Sequence, residues 1–161
     1  MIKTTPNNTG DQKIDDLRAA IEHRAAWFYL LIKNAREAGL DDKFAHDAIF
    51  QCGCDDGQNK FPRTSDLDVF IKAFANDNVV KIFEMDVKPS EDKTEIDFYY
   101  CPLVAKWKKL GVPDEELPEL CQIAMDGDRG IISQYPDFEF HLGKTIAQGH
   151  HCCEITISKK K

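Results

Sequence analysis

No stretch of this 161-residue sequence is apolar for long enough to cross a membrane: the longest run, Ala25 to Ile32, falls far short of the roughly 18 to 20 residues a spanning helix needs. The opening residues Met1-Ile2-Lys3-Thr4-Thr5-Pro6 lack the apolar core of a secretory signal. Cysteine is too sparse for a disulfide scaffold, since six residues lie well below the roughly 8–10% of such chains, and a cytoplasmic protein with reduced thiols is expected. No two cysteines have the C-x-x-C spacing of a zinc knuckle or a thioredoxin-type motif. Basic stripes are scarce as well. With 21 Lys and Arg against 28 Asp and Glu, a formal charge of -7 and a pI near 5.2, the basic clusters are Lys106 to Lys109 and the Lys159 to Lys161 tail. That is too little to neutralise a phosphate backbone, so neither nucleic acid nor a membrane is an expected partner. A small-molecule substrate or another protein fits better, and a homo-oligomer is compatible. No internal repeat or linker is visible, and a chain of this length forms one domain that buries roughly two thirds of its unfolded surface.

What is present is periodicity. Residues 1–12 are polar and expected to be disordered, and a single domain is expected over 13–158. Apolar positions 14, 17, 21, 25, 28, 32 and 35 alternate in steps of three and four, the stripe of a helix. Its stretch AAWFYLLI is apolar nearly all round and predicts burial on more than one side. Gly39 stops this helix, and Asp41 caps a second, carrying Phe44, Ala45, Ala48 and Ile49 into Cys52-Gly53-Cys54-Asp55-Asp56-Gly57, read as a turn or helix end. Ser65 caps a third helix with Leu67, Phe70, Ile71 and Phe74 on one face. From Val79 the period becomes two, predicting a strand through Val87, a turn at Pro89 to Asp92, and a second strand with Ile96, Phe98 and Tyr100 inward. Pro102 opens a short helix closed by Gly111, and Asp114 opens another bearing Leu117, Leu120, Cys121 and Ala124. Two further strands follow, around Phe138 to Leu142 and Cys153 to Ile157. The order predicts an α+β fold: one domain, N-terminal helices packed on an antiparallel sheet of about four strands, with two helices inserted.

Two chemical groupings stand out. Cys52-x-Cys54 together with His150-His151-Cys152-Cys153 supplies thiolate and imidazole ligands for a composite site suited to zinc or another soft metal. Against it, buried cysteine commonly serves as a small hydrophobe, and Cys121 and Cys153 each continue an apolar face. Asp128 lies seven residues after Cys121 and returns to the same face if the helix runs past Gly127. Residue types alone favour a helix that ends at Gly127, leaving Asp126 and Asp128 as solvated turn residues. Of the adjacent His150 and His151, extended backbone lets only one face a site.

The segments TEIDFYYCPLVAKWKKLGVPDEELPELCQIAMDGDRG and FHLGKTIAQGHHCCEI resemble the L-2-amino-thiazoline-4-carboxylic acid hydrolase family over Thr94 to Ile157, with a looser likeness in HRAAWFYLL and Cys52-Gly53-Cys54. The matching positions are Cys101, Pro102, Cys121, Asp126-x-Asp128, Thr145, Gly149 and Cys153. His150 stands where the family pattern is more often acidic, which leaves the ligand contact there open. The resemblance implies a hydrolase acting on a non-peptide C–N/C–S bond, opening a thiazoline ring to a carbamoyl-cysteine product. It implies Cys101, Cys121, Asp128 and Cys153 as catalytic candidates, with Cys101 or Cys153 the nucleophile and Asp128, paired with a histidine, the acid and base. Arg129, Lys144, Thr145 and His150 are the substrate-binding candidates. The helix starting at Pro102 is expected to depress the pKa of Cys101. A divalent metal such as zinc, held by candidates among Cys101, Cys121, His151 and Cys153, is the second version of the mechanism. Two other classes stay open: a small-molecule or metal-binding sensor without turnover, and an interaction protein whose cysteines are all core.

Overall fold

Asp11 accepts the backbone N–H of Lys13 and so opens the first helix, which runs for 26 residues because nothing before Gly39 breaks the pattern. The computed structural model describes Ile2 and residues 4–161. The helices are α1 (Gln12–Glu37), α2 (Lys43–Asn59), α3 (Leu67–Phe74), α4 (Asp77–Phe83), α5 (Pro102–Lys109) and α6 (Leu117–Ser133). The strands are β1 (Met85–Pro89), β2 (Lys93–Phe98), β3 (Phe138–Leu142) and β4 (Cys153–Lys159), and a single 3-10 turn covers Ile146–Gln148. The strands form an antiparallel sheet in the order β1-β2-β4-β3, which bears out the expected α+β fold.

Alternation along the central strands gives the sheet its two faces. Thr94, Ile96 and Phe98 of β2 and Cys153, Ile155 and Ile157 of β4 are buried under the helices, while Glu95, Asp97, Glu154 and Thr156 point to the opposite, polar side. The register sets Phe98 opposite Cys153 and Ile96 opposite Ile155, so the thiol of Cys153 stands at the end of the apolar ladder. The core continues through Phe70 of α3, Tyr135 just after α6 and Phe138 of β3, whose rings pack at centroid separations of 4.6 to 5.8 Å.

Five local expectations are corrected. The segment Cys52 to Gly57 is the interior of α2 and neither a turn nor a helix end, and α6 passes through Gly127 to Ser133 without stopping. Both follow from one contact. A Cβ on Gly53 would lie 2.0 Å from the Gly127 carbonyl oxygen, and one on Gly130 would lie 2.2 Å from the Phe50 carbonyl oxygen. These glycines therefore let two helix backbones touch, and packing outweighs their weak intrinsic preference for helix. Val79 belongs to α4, which Asn76 caps by accepting from Asn78 and Val79, so the strand starts only at Met85 after a left-handed Glu84. Asp66, one residue after Ser65, is the cap of α3. Finally, AAWFYLLI is buried on one side only: Ala25 and Ile32 are covered, whereas Trp27 and Leu31 are 63% and 64% exposed.

Helices pair as α2 with α6 and α1 with α5, and α1 hardly touches α2. Trp107 locks the second pair by donating its indole N–H to the Ala25 carbonyl at 3.0 Å and stacking on Phe28. Arg18 of α1 is buried against the Tyr100 ring, with its guanidinium on Glu84 and on the carbonyls of Lys81 and Ile82. In the polar N-terminal segment, Asn7 bonds Glu84, the Ile2 N–H donates to Asp114, and the Thr4 hydroxyl accepts from the Cys101 N–H. Asp114 precedes α6, whose N-cap is Glu116, and it also pairs with Lys108.

The glycine contact sets a stability prediction with an internal control. Gly53→Ala or Gly130→Ala drives a methyl into backbone and should cost about 3 kcal/mol or more, a fall in Tm of about 6 °C or more by calorimetry. Gly127→Ala meets only the Ile49 side chain, at 3.8 Å, and should be neutral or gain up to about 1 kcal/mol from helix propensity.

Candidate functional site

Because the two helix pairs meet only weakly, a space is left between them. It has two parts. An inner chamber of about 220 Å³ lies between α5, α6 and the sheet, walled by Phe61, Phe74, Phe83, Phe98 and Trp107. An outer groove of about 430 Å³ runs between α1 and α2 past Trp27, Leu31 and Phe44. Arg24, Leu103, Ala124, Asp128 and Ile131 line both and form the neck that joins them.

The chamber gathers the four residues expected to be catalytic. Cys101 enters from the N-cap of α5, Cys121 and Asp128 from one face of α6, and Cys153 from the start of β4. The seven-residue spacing places Asp128 almost directly above Cys121, as two helical turns require.

Asp128 is the unusual group. Its carboxyl makes no hydrogen bond or ion pair with any described residue, although it is half-buried and lines both the chamber and the groove. Loss of water pushes its pKa up to about 7, and the cations of Arg129 and Arg24 oppose that shift. A carboxyl with that pKa exchanges a proton readily at neutral pH.

The thiols behave differently from the expectation for Cys101. Burial raises its pKa, and although the Leu103 and Val104 N–H groups in the first turn of α5 and the Arg24 cation pull the other way, desolvation prevails. The helix start acts as expected in sign and is outweighed. Cys121 is pushed up to about 12, mainly by burial, against a hydrogen bond from Thr145. Cys153 is raised by burial and by its neighbouring thiols, with its sulfur accepting the Ile146 N–H at 3.3 Å. All three are thiols at neutral pH.

The other expected residues lie elsewhere. Arg129 is committed on the far side of α6, donating to Asp126 at 2.7 Å and to the side chain and carbonyl of Gln122. Asp126 in turn bonds His46 Nδ1 at 2.5 Å, so it belongs to an ion cluster between α2 and α6 and not to the chamber. Thr145 is buried behind Cys121, where it forms a capping box with Gln148. Lys144 and His150 are exposed, and His151 is exposed with its ring edge on Tyr99. Cys52 is exposed on the groove, and Cys54 faces Ser133 at 3.5 Å, so the composite site with the 150–153 segment is not formed. Among the described residues no group of three or more His, Cys, Asp or Glu side chains is placed to hold a metal ion. The set Cys101, Cys121, His151 and Cys153 thus lacks the converging geometry that a zinc site requires.

Arg24 is the residue that the sequence reading passed over. It makes no hydrogen bond or ion pair with a described residue and lines the neck beside Asp128. Its signal was its position: it shares a helix face with Trp27, Phe28 and Leu31 at i+3, i+4 and i+7, a cation among apolar residues.

A family model described as L-2-amino-thiazoline-4-carboxylic acid hydrolase matches residues 18–157. No functionally curated protein matches the chain. Among solved structures, the chain is similar to a trafficking protein particle complex subunit 3 from Naegleria fowleri covalently bound to palmitic acid, with a TM-score of 0.60 and 14% identity over 87% of this chain and 95% of that one. At that identity the likeness concerns the fold.

Two outcomes test the electrostatics. Because the folded state holds the Asp128 proton up to about pH 7 and the unfolded chain releases it near the ordinary carboxylate range, wild-type stability should fall as pH rises through that window and level off above it. Asp128→Asn removes this loss, so the Tm of the variant minus that of wild type should widen by several degrees between pH 5 and pH 8. In native-state thiol labelling near pH 7.5, Cys52 should react first, with Cys101, Cys121 and Cys153 more than about tenfold slower, as judged by mass spectrometry of digests.

Proposed function

The chain belongs to the L-2-amino-thiazoline-4-carboxylic acid hydrolase family, and from that premise we propose that it opens a thiazoline ring by adding water at the carbon between nitrogen and sulfur. The observation that carries this reading is Asp128, an unpaired carboxyl titrating near neutrality at the neck of a largely apolar chamber. In its ionised form it takes a proton from the attacking water, and in its acid form it returns one to the departing sulfur. The oxygen of water becomes the carbonyl of the carbamoyl product. Its two protons end on the ring nitrogen and on the new thiol, and the C–S bond breaks. Arg24, free of other partners among the described residues, takes the substrate carboxylate in place of Arg129 and Lys144.

The thiols serve this reaction as walls more than as nucleophiles. Each sits in surroundings that disfavour a thiolate, whereas water activated by Asp128 needs no such ion. Cys101 keeps the Leu103 and Val104 N–H groups as donors, so it is the thiol with the strongest claim if a covalent route operates.

A second reading, a small-molecule-binding module without turnover, is favoured by the apolar lining of chamber and groove, and the fold neighbour's covalently held palmitic acid lends it support. Incubation of reduced protein with 2-amino-thiazoline-4-carboxylate and assay for new thiol separates the two. Wild type should release thiol, with kcat/KM rising with pH to a plateau and a midpoint near 7. Asp128→Asn should lose about 10²–10⁴-fold, while Cys101→Ser and Cys153→Ser stay within about tenfold. No thiol from wild type would leave the binding module as the reading, and a loss in Cys101→Ser equal to that in Asp128→Asn would move the attack to sulfur.

A further inference from the structure

The inner chamber is larger and less polar than an amino-substituted ring requires. Its polar groups are Arg24 and Asp128 at the neck and three thiols, and those thiols already have donors: Cys101 from Leu103 and Val104, Cys121 from Thr145, and Cys153 from Ile146. Beyond Asp128 the wall is Phe61, Phe74, Phe83, Phe98 and Trp107. A cavity of about 150 Å³ already admits a benzene ring, and this space measures about 220 Å³.

The direction in which a thiazoline-4-carboxylate enters follows from its own shape. Its carboxylate and the carbon under attack lie across the ring from each other. Arg24 is exposed toward the groove, so a carboxylate held there stays at the wet end. The ring then crosses the neck at Asp128, and the substituent on the attacked carbon points into the chamber. An amino group in that place can pair with Asp128 but leaves the aromatic space behind it unfilled. An alkyl or aryl group fills it.

We propose, resting on the hydrolase reading, that the ligand of this site is a thiazoline-4-carboxylate carrying an alkyl or aryl group at the carbon under attack, with that group seated in the inner chamber. Hydrolysis then yields an N-acyl-cysteine. The oxygen of water becomes the acyl carbonyl, the C–S bond breaks, one proton goes to the ring nitrogen and one to sulfur, and no other reactant enters.

The two tryptophans make the test direct, since Trp27 lines the groove and Trp107 the chamber. In Trp27→Phe the remaining indole reports on the chamber alone. This full-length variant is titrated with 2-amino-, 2-methyl-, 2-propyl- and 2-phenyl-thiazoline-4-carboxylate, following Trp107 emission for binding and new thiol for turnover. Expected are a Kd that falls about fourfold per added methylene, a phenyl compound at least tenfold tighter than the amino one, and a Trp107 response to each apolar ligand. Val79, which lines the chamber and not the groove, gives a blocking variant. In Val79→Phe the apolar gain should vanish while the amino compound keeps its Kd within about twofold. The ligand series decides the matter even if that variant does not fold. Thiol release from the amino compound with no apolar gain overturns this proposal and leaves the hydrolase reading standing. An apolar gain reported by Trp107 with no thiol from any compound overturns the hydrolase reading alone and keeps the chamber's occupant. An apolar gain that leaves Trp107 emission unmoved places the group elsewhere and overturns the proposal.

Discussion

Gly53 and Gly57 on α2 and Gly130 on α6 bring two helix backbones into direct contact, and the rest of the site hangs from that contact. Side chains of ordinary size would hold the helices 8–10 Å apart at their axes and push α6 toward the sheet. With the glycines in place, α6 leans on α2, and the face bearing Cys121, Ala124 and Asp128 stays open. Trp107 draws α1 to α5 in the same way by hydrogen-bonding its backbone. Two tightly bound pairs that scarcely touch each other leave a groove between α1 and α2, and the neck forms where Arg24 and Asp128 approach it from opposite sides.

That arrangement also sets the chemistry. The same walls that remove water from Asp128 remove it from the three thiols, but desolvation has opposite uses in the two cases. For a carboxyl it moves the pKa from far below neutrality to about 7, where a proton can be both taken and given. For a thiol, which starts above neutrality, the same shift moves it further from its reactive ion. On the proposed reading the carboxyl is therefore the active group of the chamber, although three thiols share that space with it. Burial also accounts for the exposed apolar residues of α1: Trp27 and Leu31 flank the groove entrance, where a core helix would have covered them.

Much of this was legible in the chain. Alternation in β2 and β4 and the 3.6-residue stripe of α1 are local, and local signals survive folding. The grouping of Cys101, Cys121, Asp128 and Cys153 was reached through family likeness together with helical spacing, and the chamber brings those four together. What misled were residues whose role depends on a partner far along the chain. Gly53 and Gly127 look like breaks until one sees that each is the other's neighbour. Arg129 and Lys144 looked like free cations, but a charge is available only if no acid stands near it, and Asp126 and Gln122 hold Arg129. Arg24 drew no notice in the sequence because nothing in its own segment says that Asp128 will be across the gap.

The sequence by itself determined the class of fold, the acidic character of the chain, and the positions of its thiols and of Asp128, because periodicity, composition and spacing act over a few residues. The tertiary structure alone decided which of these groups share a space and which of them lose water. Proximity between residues a hundred positions apart, and the desolvation that shifts a pKa, arise only when α2 meets α6 and the chamber closes around what they carry.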